Sequence, residues 1–358
     1  MKVMAVNSSP RIGGGSKTEM MLSPLLQGMR RAGAEVEVVE LRKKKVNFCA
    51  GCFTCWTKTP GVCIHQDDMA AELLPMWVEA DICVYATPLY HFTVNAELKA
   101  FIERTLPAIE PFMIQGLDGR MTHPHRYDKL PQPVILSVAG FPHMEVFDHL
   151  SHYFRFLMGA KGAPLAEIYR PGAEFLDTPS GRKKWGDIAE ALESAGAKLV
   201  QGETIDEETM QRITQPLGDP MKLGRMANLF WRSAIAAGVS PREFGQKGLM
   251  PQPDDIEEFL LMMEIAFNSE HAPQQPVTIQ FDFTGRAEGP CHLTTSPQGL
   301  TAQSGPAEDP DVVISGAFED WLAVMSGQAQ APELFMSGKL KAQGDLGAVM
   351  GMQQWFAL

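Results

Sequence analysis

Four of the six cysteines in this 358-residue chain, Cys49, Cys52, Cys55 and Cys63, fall within fifteen positions. Thiolates spaced Cys49-x2-Cys52-x2-Cys55-x7-Cys63 can meet at one metal centre, because each two-residue gap lets the chain turn back and present sulfur to the same point. A [4Fe-4S] cluster is the sharpest reading. A tetrahedral zinc site is the next, and redox-active or merely structural thiols in a metal-free loop are the third. Trp56 and the turn Thr59-Pro60-Gly61 make the last spacer stiff, which argues against closure on a single metal. Cys83 and Cys291 stand alone in apolar strand-like runs and read as small buried hydrophobes.

A second set of residues could hold a nucleotide. The run Asn7-Ser8-Ser9-Pro10-Arg11-Ile12-Gly13-Gly14-Gly15-Ser16-Lys17-Thr18 supplies hydroxyls, flexible backbone N–H groups, two cations and the start of a helix, all of which favour a bound phosphate. Thr87-Pro88-Leu89-Tyr90-His91-Phe92-Thr93 is a rigid aromatic turn that could border a planar ring, and Gly140-Phe141-Pro142-His143 is a third turn of similar kind. The Walker lysine motif and the G-x-G-x-x-G fingerprint are both missing from these loops. One phosphate cradle with two ring-contacting loops suits a flavin mononucleotide (FMN) better than a dinucleotide. No histidine forms a convincing triad with a Ser or Cys nucleophile. Any chemistry therefore belongs to the cofactor, with the protein supplying position and electrostatics.

Those loops need a scaffold, and the hydrophobic pattern supplies one. Strands are expected at Lys2 to Asn7, Val36 to Leu41, Asp81 to Ala86, Val134 to Ala139 and Ala166 to Tyr169. Helices are expected between them at Lys17 to Ala32, Met69 to Ala80, Val94 to Leu106 and Met144 to Met158, with Arg182 to Val200 after the last strand. This is an α/β, flavodoxin-like, doubly wound five-stranded parallel sheet of order 2-1-3-4-5, whose ligand site lies beyond the carboxyl ends of strands one and three. Residues 219 to 245 read as one further helix leading into a connector. The expected division is a flavodoxin-like FMN-binding domain at 1–215, a helical connector and linker at 216–253, and an α+β domain at 254–358.

Charge supports the division. The chain carries −12 overall, and residues 254–358 alone hold 3 basic and 15 acidic side chains. The first 253 residues sum to zero. Such a balance argues against a nucleic-acid partner. No stretch approaches the roughly 18 apolar residues of a membrane span, and the short apolar run after Lys2 is too brief for a secretory signal. The expected location is cytoplasmic.

The motifs also carry resemblances. Ser9-Pro10-Arg11 followed by Ser16-Lys17-Thr18, then Thr87-Pro88-Leu89-Tyr90 and Leu98-Lys99-Ala100-Phe101-Ile102-Glu103-Arg104, resemble the NADPH-dependent FMN reductase and iron-sulfur flavoprotein family over residues 1 to 205. The resemblance implies that Ser9, Arg11, Ser16, Lys17 and Thr18 hold the FMN phosphate, while Pro88, Leu89, Tyr90, His91, Phe92, Gly140 and Phe141 border the ring. Ser8 replaces a glycine usual in that family, and the loop before Thr18 is richer in glycine; neither change removes a phosphate donor. The four-cysteine segment is similar to the compact motif of the iron-sulfur flavoproteins, with a last spacer at or near the long end of theirs.

Further on, Phe281-Asp282-Phe283-Thr284-Gly285, Glu319-Asp320-Trp321-Leu322 and Phe335-Met336-Ser337-Gly338-Lys339-Leu340 resemble a sterol carrier protein 2 (SCP2) domain. The resemblance implies an apolar tunnel, with Phe335, Met336, Leu346, Met350 and Phe356 as lining residues. Together these expectations describe an FMN-dependent NAD(P)H oxidoreductase of the flavin or quinone reductase type, acting with an apolar ligand held by the second domain. Two alternatives stay open: an electron carrier between protein partners such as a ferredoxin, and a redox-linked lipid-binding protein. The first resemblance also implies a homo-oligomer.

Overall fold

The computed structural model describes residues 1–11, 15–116, 119–157 and 164–356. Ile12, Gly13 and Gly14 of the glycine-rich loop, and Met158 at the end of the fourth expected helix, lie outside the described residues. The chain forms two compact units, one of Met1–Phe175 with Lys184–Pro216 and one of Leu176–Lys183 with Leu217–Leu358.

The first unit contains β1 (Lys2–Asn7), α1 (Lys17–Arg31), β2 (Glu35–Glu40), α2 (Leu74–Glu79), β3 (Ile82–Pro88) and α3 (Ala96–Glu103). It continues with a small ribbon, β4 (Ile114–Gln115) and β5 (Met121–Thr122), then β6 (Gln132–Val138), α4 (Asp148–Leu157), β7 (Ala166–Arg170), most of α5 (Pro179–Gln201), and α6 (Glu207–Thr214). The sheet order is β2-β1-β3-β6-β7 and every pairing is parallel. This is the expected 2-1-3-4-5 order. The central strands are buried nearly throughout, as strands covered on both faces must be. A single π-helical turn, Met69–Leu73, leads into α2, and Pro75 sits at its start.

Helix α1 carries the residues that follow the glycine-rich loop, so its seat on the sheet places that loop. It packs against α5 with almost no room between backbones. A Cβ added at Gly28 would stand 1.9 Å from the Glu193 carbonyl oxygen, and one at Gly196 would stand 2.0 Å from that of Leu25. Glycine at both positions is therefore a packing requirement rather than a matter of chain flexibility.

The second unit contains α7 (Pro220–Ala237), α8 (Pro241–Gln246), α9 (Ile256–Ala266), β8 (Val277–Thr284), β9 (Gly289–Ser296), β10 (Gly299–Ser304) and β11 (Val312–Ala317). It ends with α10 (Phe318–Met325), α11 (Ala331–Met336), β12 (Leu340–Gly344) and α12 (Leu346–Trp355). Its sheet runs β10-β9-β8-β11-β12, antiparallel except for the β8–β11 pair. The fold is α+β. Phe259, Phe281, Phe283, Phe318 and Trp321 form its core, to which Leu229 of α7 and Met250 also belong. The single helix expected over 219–245 is two. Gly238 ends α7 in the left-handed conformation (φ 64°), and Ser240 starts α8 with a capping box completed by Glu243. Among the described residues, no helix is long and apolar enough to cross a membrane.

The cysteine loop, between β2 and α2, is held at its base by a buried ion pair. Arg104 Nη1 donates to Asp67 Oδ2 at 2.7 Å and Nη2 to Asp67 Oδ1 at 3.0 Å, with both side chains essentially inaccessible. Arg104 Nη1 also donates to the Asn47 carbonyl at 2.7 Å, and the Asn47 N–H donates to Asp67 Oδ2 at 2.9 Å. One side chain just after α3 thus gathers both ends of the loop. Burial pushes the Asp67 carboxyl up, but the bonds from Arg104, Asn47 and Ala70 outweigh it and hold it well below the usual carboxylate range.

Two outcomes are expected. Gly196→Ala should lower stability by about 1–3 kcal/mol or more in urea denaturation, because neither backbone can yield easily. Asp67→Asn should cost about 3–5 kcal/mol by leaving the Arg104 charge buried and unpaired. Because the Asp67 pKa is depressed by folding, its contribution is complete above about pH 4 and is lost as pH falls below that value. Denaturation midpoints of wild type and Asp67→Asn should therefore converge on acidification, and a gap that widened toward low pH would contradict this.

Candidate functional site

The carboxyl ends of the parallel strands bring the expected loops together. Ser9, Arg11, Lys17, Thr18, Pro88, Leu89, Tyr90 and Gly140 line one pocket that opens to solvent. Ser9, Ser16, Lys17 and Thr18 are buried, whereas Arg11 is exposed. Ser16 caps α1 by accepting from the Glu19 N–H (3.1 Å), and its hydroxyl donates to Ser9 Oγ at 2.8 Å. Four buried polar side chains beside an open pocket at a helix N-terminus form a cradle for an anion.

Hydrogen bonds tie the loops to one another. Asn95 caps α3 and donates through Nδ2 to the Ser8 carbonyl at 2.6 Å, joining the strand-three loop to the strand-one loop. The backbone N–H groups of Gly172 and Ala173 donate to the carbonyls of Phe141 and Ala139, which brings in the loop after β7. That loop carries Glu174, a pocket residue the motifs did not reveal. Its carboxylate accepts from Arg11 Nη1 at 2.8 Å. Both side chains are about half exposed, so the pair contributes little to stability and can yield to a competing anion.

The aromatic turn is strained. Tyr90 and Thr93 exchange backbone hydrogen bonds at 3.1 Å, and both residues between them, His91 (φ 47°) and Phe92 (φ 64°), are left-handed without being glycine. Each costs of order 1–3 kcal/mol and persists only where the surroundings impose it. The turn presents Tyr90, His91 and Phe92 to solvent, and Phe92 stacks on Phe141 with ring centroids 6.1 Å apart. This apolar rim adjoins the polar cradle.

The four cysteines share a different pocket. Cys49, Cys52, Cys55 and Cys63 line one small pocket together with His65, Arg104, Leu106 and Pro107. Left-handed Gly51 (φ 61°) and Phe53 (φ 52°) turn the chain back between the first three thiols. The spacer to Cys63 also folds back: the Gly61 N–H donates to the Cys55 carbonyl at 2.9 Å, the Val62 N–H to that of Thr59, and Thr59 Oγ1 to that of Val62. All four are free thiols, Cys55 buried and Cys52 exposed. Burial, with the neighbouring Cys63, pushes the Cys55 thiol up, while hydrogen bonds with Thr54 lower that of Cys52. Among the described residues, no group of three or more His, Cys, Asp or Glu side chains converges at metal-ligand geometry. Two nitrogens at this pocket, Arg104 Nε and His65 Nε2, are buried without a hydrogen-bond partner. Such orphan groups are costly, and a sulfur-rich acceptor between the thiols would satisfy them. Cys83 and Cys291 are fully buried in β3 and β9, as core residues.

In the second unit, the expected lining residues do not share one environment. Met336, Leu346 and Met350 are exposed, Phe335 is partly buried against the core, and Phe356 lies within it. Trp321 Nε1 is buried there without a partner.

Residues 1–159 match the family of NADPH-dependent FMN reductases, and residues 275–357 match the SCP-2 sterol transfer family. The chain is 42% identical over 108 residues to an iron-sulfur flavoprotein of Archaeoglobus fulgidus, covering 30% of this chain and 46% of that protein. It is 35% identical over 121 residues to an iron-sulfur flavoprotein of Methanocaldococcus jannaschii, covering 33% and 59%. It is 27% identical over 184 residues to FMN-dependent NADH:quinone oxidoreductase 2 of Pseudomonas aeruginosa, covering 48% and 86%. The chain thus spans only about half the length of the iron-sulfur flavoproteins it matches. Its N-terminal region is similar to the NADPH-dependent FMN reductases and its C-terminal region to the SCP-2 sterol transfer family.

Proposed function

We propose that this protein is an FMN-dependent NAD(P)H oxidoreductase that passes electrons to a quinone- or flavin-type acceptor. The observation that supports it best is the single pocket in which a buried hydroxyl and cation cradle meets an apolar aromatic rim. Ser9, Ser16 and Thr18 would hold the phosphate, with Lys17 and the α1 N-terminus favouring its charge. Arg11 would exchange Glu174 for it. Pro88, Leu89, Tyr90, His91, Phe92, Gly140 and Phe141 would border the ring and exclude water from one side. When bound, FMN supplies hydride acceptance and electron transfer, chemistry that no side chain here can perform.

We further read Cys49, Cys52, Cys55 and Cys63 as ligands of a [4Fe-4S] cluster. The shared pocket and its two orphan nitrogens support this reading, and closure would require the thiols to draw together from the positions they hold. The SCP2-like region is read as holding an apolar or acyl ligand, with Trp321 Nε1 available to a ligand oxygen.

A specific observation favours a second reading, an electron carrier between protein partners such as a ferredoxin. Phe48, Phe53, Val62 and Ile64 are all exposed in the cysteine loop, an apolar surface suited to a docking protein.

Three results test the proposal. The purified protein should retain or rebind FMN, and Ser9→Ala or Arg11→Ala should weaken binding roughly 10- to 100-fold, as expected for a lost hydrogen bond to a charged group. Isothermal titration or flavin fluorescence quenching measures this, and unchanged affinity in both variants would place the phosphate elsewhere. Steady NAD(P)H oxidation with a quinone or free flavin supports the enzyme, whereas its absence alongside rapid electron exchange with a ferredoxin supports the carrier.

A further inference from the structure

Among the four-cysteine pocket's neighbours, two side chains carry nitrogens that the protein itself does not satisfy. Arg104 is fixed by Asp67 and the Asn47 carbonyl through its Nη atoms, which leaves Nε buried and unpaired. Arg104 and Cys63 line the same pocket. The ion pair with Asp67 prevents the guanidinium from turning to water. His65, two residues beyond Cys63, lines the same pocket and leaves Nε2 buried and unpaired. A buried polar nitrogen without a partner costs about 1–3 kcal/mol; Arg104 Nε always carries a proton and His65 Nε2 carries one in its Nε2–H tautomer, so the thiol-lined space suits an acceptor-rich occupant.

Resting on the cluster reading above, we propose that Arg104 Nε–H and His65 Nε2–H are the protein's hydrogen-bond donors to the sulfurs of the metal centre, and that they set its reduction potential. Reduction adds negative charge to the sulfurs. Donors aimed at them stabilise the reduced state more than the oxidised state, so they raise the potential. Asp67 acts one step back, as a positioning residue that holds the guanidinium in place. The assignment separates two roles within the pocket: the thiols bind the metal, while the two nitrogen donors set how readily it accepts an electron.

The test uses the full-length protein, reconstituted anaerobically with iron and sulfide, in three forms: wild type, His65→Leu and His65→Gln. Iron and sulfide content is measured first, then the cluster midpoint potential by dye-equilibrated redox titration followed by electron paramagnetic resonance. His65→Leu should keep the iron content of wild type and shift the potential to a more negative value, and His65→Gln, which retains an N–H donor, should recover much of the shift. Arg104→Lys should shift it in the same direction, and the histidine pair decides the matter if that variant does not fold. An unchanged potential in His65→Leu at equal iron content would overturn the tuning role and leave the cluster intact. Loss of iron from His65→Leu would also overturn it, since His65 would then be needed for assembly. A wild-type protein that takes up no iron would overturn the cluster reading itself, and the inference with it.

Discussion

The buried pair of Asp67 and Arg104 is the constraint on which the cysteine site depends. A loop of some twenty residues with three glycine or left-handed turns has little core of its own and a large ordering entropy to overcome. Its two ends are held because one guanidinium binds a carboxylate on one side and a backbone carbonyl on the other, away from water. Lys45 and Asp68 repeat the connection at the next positions, through backbone and side-chain hydrogen bonds. The same arginine that closes the loop leaves its Nε–H unpartnered beside the thiol-lined pocket. Geometry and electrostatics at the site thus come from one residue, and the carboxylate that neutralises it also sets its orientation.

The flavin-type pocket is assembled by a different logic. No single side chain holds it; four of the five strands of the parallel sheet, β1, β3, β6 and β7, deliver loops to the same edge, and short hydrogen bonds such as Asn95 to Ser8 and Gly172 to Phe141 fix their spacing. Strain in the His91-Phe92 turn is tolerated because both flanking residues are locked by the Tyr90–Thr93 pairing. The rigid element is the sheet with its α1–α5 contact. The adjustable element is the exposed Arg11–Glu174 pair.

Much of this was legible in the sequence, for reasons that differ by region. Buried parallel strands are continuous apolar runs, so the five strands of the first unit stand out, and their loops follow once the order is known. A strand around Cys291 was expected and is β9, whereas β10 and β12 were not anticipated, because Gly299-Leu300-Thr301-Ala302-Gln303-Ser304 and Leu340-Lys341-Ala342-Gln343-Gly344 are polar and glycine-bearing, and only their pairing reveals them. The break at Gly238 was hidden by apolar residues on both sides of it. Asp67 and Arg104 stand 37 positions apart, and no local pattern joins two opposite charges across such a distance; Arg104 was visible only within a motif, without a partner. Glu174 was missed although the end of the fifth strand had to reach the same sheet edge. The acidic balance of residues 254–358 was visible at once, but charge did not show that the compact unit holding them begins at Leu217 and shares its core with Leu229 and Met250.

The proposed function requires one chain to bring a flavin and a four-thiol metal centre into the same unit. The most direct measurement is the absorption spectrum of anaerobically purified protein combined with iron and acid-labile sulfide analysis. Flavin bands superimposed on a broad cluster absorption, with about four iron and four sulfide per chain, are the predicted result. A flavin-free protein, or one with flavin alone and all four loop thiols freely titratable after reconstitution, would contradict it.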